Sequence, residues 1–372
     1  MPRSTLGKAY LVAGVGGVGF FAVSVLLLGV WPGRVLEDET RRLSPAHPLQ
    51  LTASERRGRQ IYSREGCAYC HTQQIRSLDS DIARFGNPTL AWETQFDYPH
   101  LWGTRRVGPD LSREGSLHPE DWQFSHLYSP RAVVPDSVMP AFPALFDGAP
   151  DRPFQAARDV VAYLESLGRA RALLEPPAKP STNYPALEAA ADHSRGEVVY
   201  RQNCAGCHGP HGEGDGPGAA GLSPRPANLA AHEYTANRVA LALWNGVSGT
   251  AMPGWRDLSR TDLSAVAGVV RKFCVAPAQE PAPPPDILAL GERVYADHCA
   301  QCHGDHGAGD GPAVTEIAVA PTSFVAQRAS VAETLRVLRN GVAGTPMAPW
   351  NTKLSEAELS AVAYFVRGFY RQ

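Results

Sequence analysis

Three short strings constrain this chain more than anything else in it: CAYCH at 67–71, CAGCH at 204–208 and CAQCH at 299–303. With 7 Cys and 12 His in 372 residues, a random chain would hold about 0.004 such strings, so chance is excluded. C-x-x-C-H is the attachment signature of a c-type haem, in which two thiols form thioethers with the vinyl groups and the adjacent histidine ligates iron. One helical turn can then present both sulfurs to the same edge of the macrocycle. The pairs Cys67/Cys70, Cys204/Cys207 and Cys299/Cys302, with His71, His208 and His303, therefore predict three covalently bound haem c groups. A thioredoxin-like redox pair needs a βαβ context that is missing here, and zinc needs two further ligands per site.

The sixth ligand follows from counting. Apart from Met1, the methionines are Met139, Met252 and Met347, one behind each motif and each in a Pro-containing loop. Methionine often fills gaps in cores, but matching placement in three units reads as axial ligation. A neutral thioether opposite an imidazole favours reduced iron and leaves no position for oxygen or peroxide. Electron relay, with no catalytic site in this chain, is the expected role. A haem-based gas sensor or peroxidase is the competing class, and five-coordinate iron would support it.

No charged residue occurs from 10 to 31. Those residues make a helix of roughly 33 Å, enough for a hydrocarbon core of about 30 Å. The run is longer than the apolar part of a signal peptide and lacks a small-x-small cleavage site, so a retained single-pass anchor over 1–33 is expected. Ala9, Ala13 and Gly17, with Gly16 and Gly19 beside them, leave one face open to close approach of a partner helix. Basic residues on both sides of the run leave its orientation undecided.

Pro-rich stretches at 175–185 and 276–285 read as stiff linkers. They divide the soluble part into units at 34–174, 186–275 and 286–372, each with one C-x-x-C-H. Units two and three are an internal repeat: Cys204 to Cys299, Pro226 to Pro321, Asn245 to Asn340 and Met252 to Met347 are all 95 residues apart. Unit one keeps the order of landmarks but spans 38 residues from His71 to Pro109, against 18 in the other two. Thr52 to Glu55 reads as a capping box, and apolar periodicity over 160–167, 258–273 and 354–369 predicts a closing helix in each unit. Strand signals are sparse. The fold class is mainly α, an N-terminal transmembrane helix followed by three helical domains.

The three units resemble class I cytochrome c domains. That resemblance implies that a proline carbonyl, from Pro109, Pro226 or Pro321, accepts the Nδ1 proton of the ligating histidine and fixes its tautomer. Gly58/Tyr62, Gly196/Tyr200 and Gly291/Tyr295 resemble the family's contact between first and last helices. Tyr163 and Tyr364 are expected as partner aromatics, and Gly268 in unit two departs from the pattern and should loosen that domain.

Unit one carries more. CAYCHTQQIR (67–76), Asp81, Arg84-Phe85-Gly86, FDYPHLWGTRRVGPDL (96–111) and HLYSPRAVVPDSVMPAFP (126–143), behind one anchor, resemble the monohaem subunit of cbb3-type cytochrome c oxidases over roughly 5–170. The two further haem domains depart from that subunit and resemble the family's separate dihaem subunit, as if both were fused. The resemblance implies a catalytic membrane subunit with b-type haems and copper as partner, a soluble or membrane cytochrome c as donor, and haem domains in the periplasm on a bacterial cytoplasmic membrane. Electrons would enter at unit two or three and leave by the His71/Met139 haem. The alternative is a trihaem cytochrome serving a periplasmic dehydrogenase.

Remaining features point elsewhere. Lys+Arg 35 against Asp+Glu 37 gives a net charge of -2, without the basic excess of a nucleic-acid binder. His211 and His306 read as polar loop residues, Cys274 as a small apolar residue, and the Gly-rich loops lack the Lys of a phosphate-binding loop.

Overall fold

A computed structural model describes residues 5–43, 50–94, 96–97, 100–172, 184, 186–187, 192–256, 258–274 and 282–371. Most of both Pro-rich linkers, and Tyr98 and Pro99 of unit one, lie outside the described residues. The chain is mainly helical.

The N-terminal apolar run is long enough to cross a membrane and is exposed along its length. The helix itself continues beyond the apolar run. The helix Thr5–Val25 passes through a wider turn at Leu26–Val30 into Trp31–Leu43. Pro32 cannot donate to the carbonyl four residues back, and the wider turn, in which the Trp31 N–H reaches Leu26 O, accommodates its ring. The face carrying Ala9, Ala13 and Gly17 is open.

Each unit is built on a crossing of its first and last helices. Ala53–Arg64 packs on Gln155–Ser166, His193–Asn203 on Arg260–Phe273, and Pro285–His298 on Glu356–Phe365. A side chain at Thr52 opens the first of these through a capping box with Glu55, and Asp192, Ser259 and Ser355 cap others by accepting a backbone N–H. The helices nearly touch backbone to backbone. A Cβ on Gly58 would stand 1.8 Å from Asp159 O, one on Gly196 2.3 Å from Ala265 O, and one on Gly291 2.3 Å from Ala361 O. Only glycine fits at these crossings.

The aromatic partners differ from expectation. Tyr62 meets Tyr163 edge to face at 5.3 Å, but Tyr295 packs on Phe365 and Phe369, at 5.5 and 5.1 Å, rather than on Tyr364. Phe365 stands four residues after Ala361, the spacing that separates Tyr163 from Asp159, so it is the side chain on the crossing face. Unit two also has its aromatic, Phe273, at 4.9 Å from Tyr200. Gly268 faces open space, with nothing within 4 Å of a Cβ placed there, and does not loosen the core.

A separate hydrophobic cluster fills each unit, around Tyr62 and Val161, Tyr200 and Val266, and Tyr295 and Val362. Two short strands join units two and three. β1 (His232–Tyr234) pairs antiparallel with β2 (Gln327–Ala329), with Glu233 opposite Arg328. Unit one docks on unit two through Asp121, which accepts the Ser223 N–H at 2.8 Å, and through Gly206, whose Cβ would lie 2.3 Å from Val133 O.

Candidate haem sites

Each motif begins where its first helix ends. In units two and three Cys204 and Cys299 terminate that helix, and a short turn, Ala205–His208 or Ala300–His303, carries the second cysteine and the histidine. In unit one Gly66, at φ 76°, reverses the chain before the turn Cys67–Tyr69. Tyr200 and Tyr295 donate to the carbonyls of Gly209 and Gly304, at 2.8 and 2.6 Å, fastening the first helix to the residue after His208 and His303. Unit one replaces this link with Gln73, whose Nε2 donates to Tyr163 Oη at 2.8 Å.

The histidines are oriented through one ring nitrogen. His71 Nδ1 lies 2.9 Å from Pro109 O. In units two and three the acceptor is the residue after the proline, a correction to the expected pattern: His208 Nδ1 lies 3.1 Å from Ala227 O and His303 Nδ1 3.0 Å from Thr322 O. Pro226 O and Pro321 O instead face Gly214 and Gly309 of the Gly-rich loops, which pass too close for a Cβ. Burial lowers the pKa of all three histidines, against the opposing pull of the carbonyl each one meets. A neutral imidazole whose Nδ1–H meets a carbonyl leaves Nε2 free to bind a metal.

The methionines share one local geometry. The backbone N–H of Met139, Met252 and Met347 donates to Ser137, Thr250 and Thr345 respectively, each at 3.2 Å. Every one of the three packs at the edge of its own unit's core.

Burial raises the Cys67 and Cys207 thiols to about 11 and those of Cys204 and Cys299 to about 12. A raised thiol pKa is the reverse of the activated thiolate of a redox pair. No group of three metal-ligating side chains occurs among the described residues. Cys274 is half-buried just past its helix, and His211 and His306 are exposed in their loops.

All three sets converge on one continuous cavity of about 2610 Å³, whose walls include both cysteines, the histidine and the methionine of every unit. Its size and apolar walls suit flat macrocycles. Trp255 adds a polar handle: its Nε1 is buried on this wall without a protein partner, as a carboxylate-bearing group would require. The residues present therefore fit haem.

Unit one holds a network that sequence spacing did not disclose. Asp110 accepts from Thr72 Oγ1 at 2.6 Å and from the Gln74 N–H at 2.8 Å, while Arg106 spans Asp110 at 3.2 Å and Asp81 at 2.7 Å. Arg76 and Arg106 hold the Asp81 carboxyl well below the usual carboxylate range. These side chains tie the segment after His71 to the loop that presents Pro109. A second group lines the cavity, where His118, two residues before the helix Glu120–Tyr128, stacks on Trp122 at 3.7 Å and Trp122 on His126 at 4.6 Å. Arg106, Asp110 and His126 lie within the unit-one motifs, but their spacing does not say which side chains they meet.

The family described as cytochrome c oxidase, mono-heme subunit/FixO, matches residues 17–170, and the family described as cytochrome c oxidase, cbb3-type, subunit III, matches 191–268 and 287–366. A cbb3-type cytochrome c oxidase subunit CcoP from Cereibacter sphaeroides is 29% identical over 46% of this chain and 59% of that subunit. Subunits FixP from Sinorhizobium medicae and Azorhizobium caulinodans are each 27% identical, over 46% of this chain and 59% and 58% of theirs. The chain thus spans about three fifths of the curated relatives it matches.

Proposed function

We propose that the chain is a mono-haem-subunit region fused to two subunit III-like cytochrome domains, as its matches to those two families over 17–170, 191–268 and 287–366 suggest, and that it serves as a membrane-anchored trihaem electron-transfer subunit of a cbb3-type oxidase. Its three cytochrome units take one haem c each, through Cys67/Cys70, Cys204/Cys207 and Cys299/Cys302. His71 and Met139, His208 and Met252, and His303 and Met347 are the axial pairs. Iron held in this way exchanges single electrons with both axial positions filled.

The chain's own residues supply rigidity. Pro109, Ala227 and Thr322 fix the histidine tautomers, hydroxyl-capped turns hold the methionine loops, and apolar walls exclude water, so the surroundings change little between oxidation states. The partners are a catalytic membrane subunit of the haem-copper type and a cytochrome c donor. The anchor lies in a bacterial cytoplasmic membrane with the haem units in the periplasm. The shared cavity supports the haem part of this reading, because both cysteines, the histidine and the methionine of every unit line it.

Purification of the tagged chain from membranes tests it. Co-isolation of a haem-copper catalytic subunit is expected. Met139→Leu should stop oxidase turnover while units two and three are still reduced by the donor. Full turnover in that variant, or isolation without such a subunit, overturns the reading.

A further inference from the structure

The contacts between units two and three obey the repeat that relates them. Thr235 N–H donates to Ala326 O at 3.0 Å and Ser330 N–H donates to Ala231 O at 2.9 Å. Thr235 and Ser330 are 95 residues apart, and so are Ala231 and Ala326, so the two bonds are the same bond made in each direction. The same exchange holds further out. A Cβ on Gly249 would stand 2.7 Å from Ala318 O, and one on Gly344 would stand 2.3 Å from Ser223 Oγ; both glycines and both acceptors are again 95 apart. Contacts that reciprocate in this way define an isologous interface, the form taken by two identical subunits about a two-fold axis.

The axis passes through one residue position. In the β1–β2 register His232 faces Ala329 and Tyr234 faces Gln327, leaving Glu233 opposite Arg328, its own repeat equivalent. In a dimer of identical domains this position would face itself, and either like pair would repel. Here it is split into opposite charges: Arg328 Nε donates to Glu233 Oε2 at 3.1 Å and Nη2 donates to the same oxygen. Both side chains are about one quarter exposed. The strands are also walls of the shared cavity, through His232, Tyr234, Gln327, Arg328 and Ala329.

We propose that units two and three form a fused pseudo-homodimer, in which the Glu233–Arg328 pair on the axis selects the other repeat as partner over a like domain and closes the cavity wall between sites two and three. Pairing of unit two with unit two would bring Glu against Glu, and pairing of unit three with unit three Arg against Arg. Duplication within one chain allowed a self-facing position to become complementary. This inference stands on the interface alone and does not depend on which oxidase or donor the chain serves.

The test is amide hydrogen exchange on the full-length, haem-loaded chain in detergent, read at Thr235 and Ser330. Arg328→Glu and Glu233→Arg should each speed exchange at both amides roughly tenfold, the loss of a charge-assisted pair and its replacement by repulsion. Amides in the first and last helices of the two units should keep their protection. The charge swap Glu233→Arg with Arg328→Glu should restore both amides. Should a reversal impair folding, Arg328→Gln serves instead, with a smaller rise at both positions. Unchanged exchange in the single variants, a response at one amide only, or no recovery in the swap would each overturn the proposal.

Discussion

His71 Nδ1 and Pro109 O stand 2.9 Å apart across 38 residues of chain, and Gly108 supplies the room that lets them meet. A Cβ there would lie 2.3 Å from the imidazole Cε1, far inside contact distance. Gly108→Ala should therefore tilt His71 and weaken site one, leaving sites two and three intact. Absorption and EPR spectra of the oxidised chain should show one altered low-spin haem of three. An unaltered spectrum would mean that the loop yields instead.

The helix crossings make paired predictions. Gly196→Ala forces a methyl against Ala265 O and should cost about 2 kcal/mol or more as overpacking, lowering the unit-two melting temperature. Gly268→Ala lies in the same two helices with open space around it and should stabilise by roughly 0.5–1 kcal/mol through helix propensity. Calorimetry of both variants reads the opposite signs directly.

Arg106 bridges two buried carboxylates, Asp81 and Asp110, and is itself largely buried. Arg106→Met leaves both without it and should destabilise unit one by about 3–5 kcal/mol. Lysine at this position should recover only part of that loss, because an ammonium cannot reproduce the planar fork that reaches Thr72, Gln74 and both carboxylates at once. Thermal unfolding of the two variants distinguishes charge from geometry.

Glu165 gives a pH signature. Burial, with repulsion from Glu114 and Glu120, raises its pKa to about 7. The folded state then holds a proton that the unfolded chain has released, so the group's contribution falls as pH rises from its unfolded value through about 7. Glu165→Gln should raise the melting temperature more at pH 8 than at pH 5. An equal shift at both values would show that the carboxyl titrates normally.

Much of this architecture was legible before any coordinates, because covalent chemistry demands fixed spacing. The C-x-x-C-H strings, the one methionine behind each, the G-x-x-x-Y crossings and the repeat of 95 residues are all local or periodic signals. What escaped was set by side-chain direction and by tertiary contact. Phe365 rather than the expected Tyr364 is the partner aromatic, since one residue turns a helical side chain by roughly 100°. The acceptor for His208 and His303 moved one residue past the proline because Pro226 and Pro321 face their glycine loops. The helix continues past Pro32 because a wider turn absorbs the missing donor. The Arg106 network and the pairing of Glu233 with Arg328 are set by tertiary contact: the repeat of 95 residues makes Glu233 and Arg328 equivalent positions, but nothing in it says that they meet.

The count of covalent haem per chain tests the account most directly. The intact mass of the purified protein should equal that of the 40.0 kDa polypeptide plus three haems, and Ser in place of both cysteines of any one motif should remove one haem and no more. Two haems or fewer on the unaltered chain would contradict it.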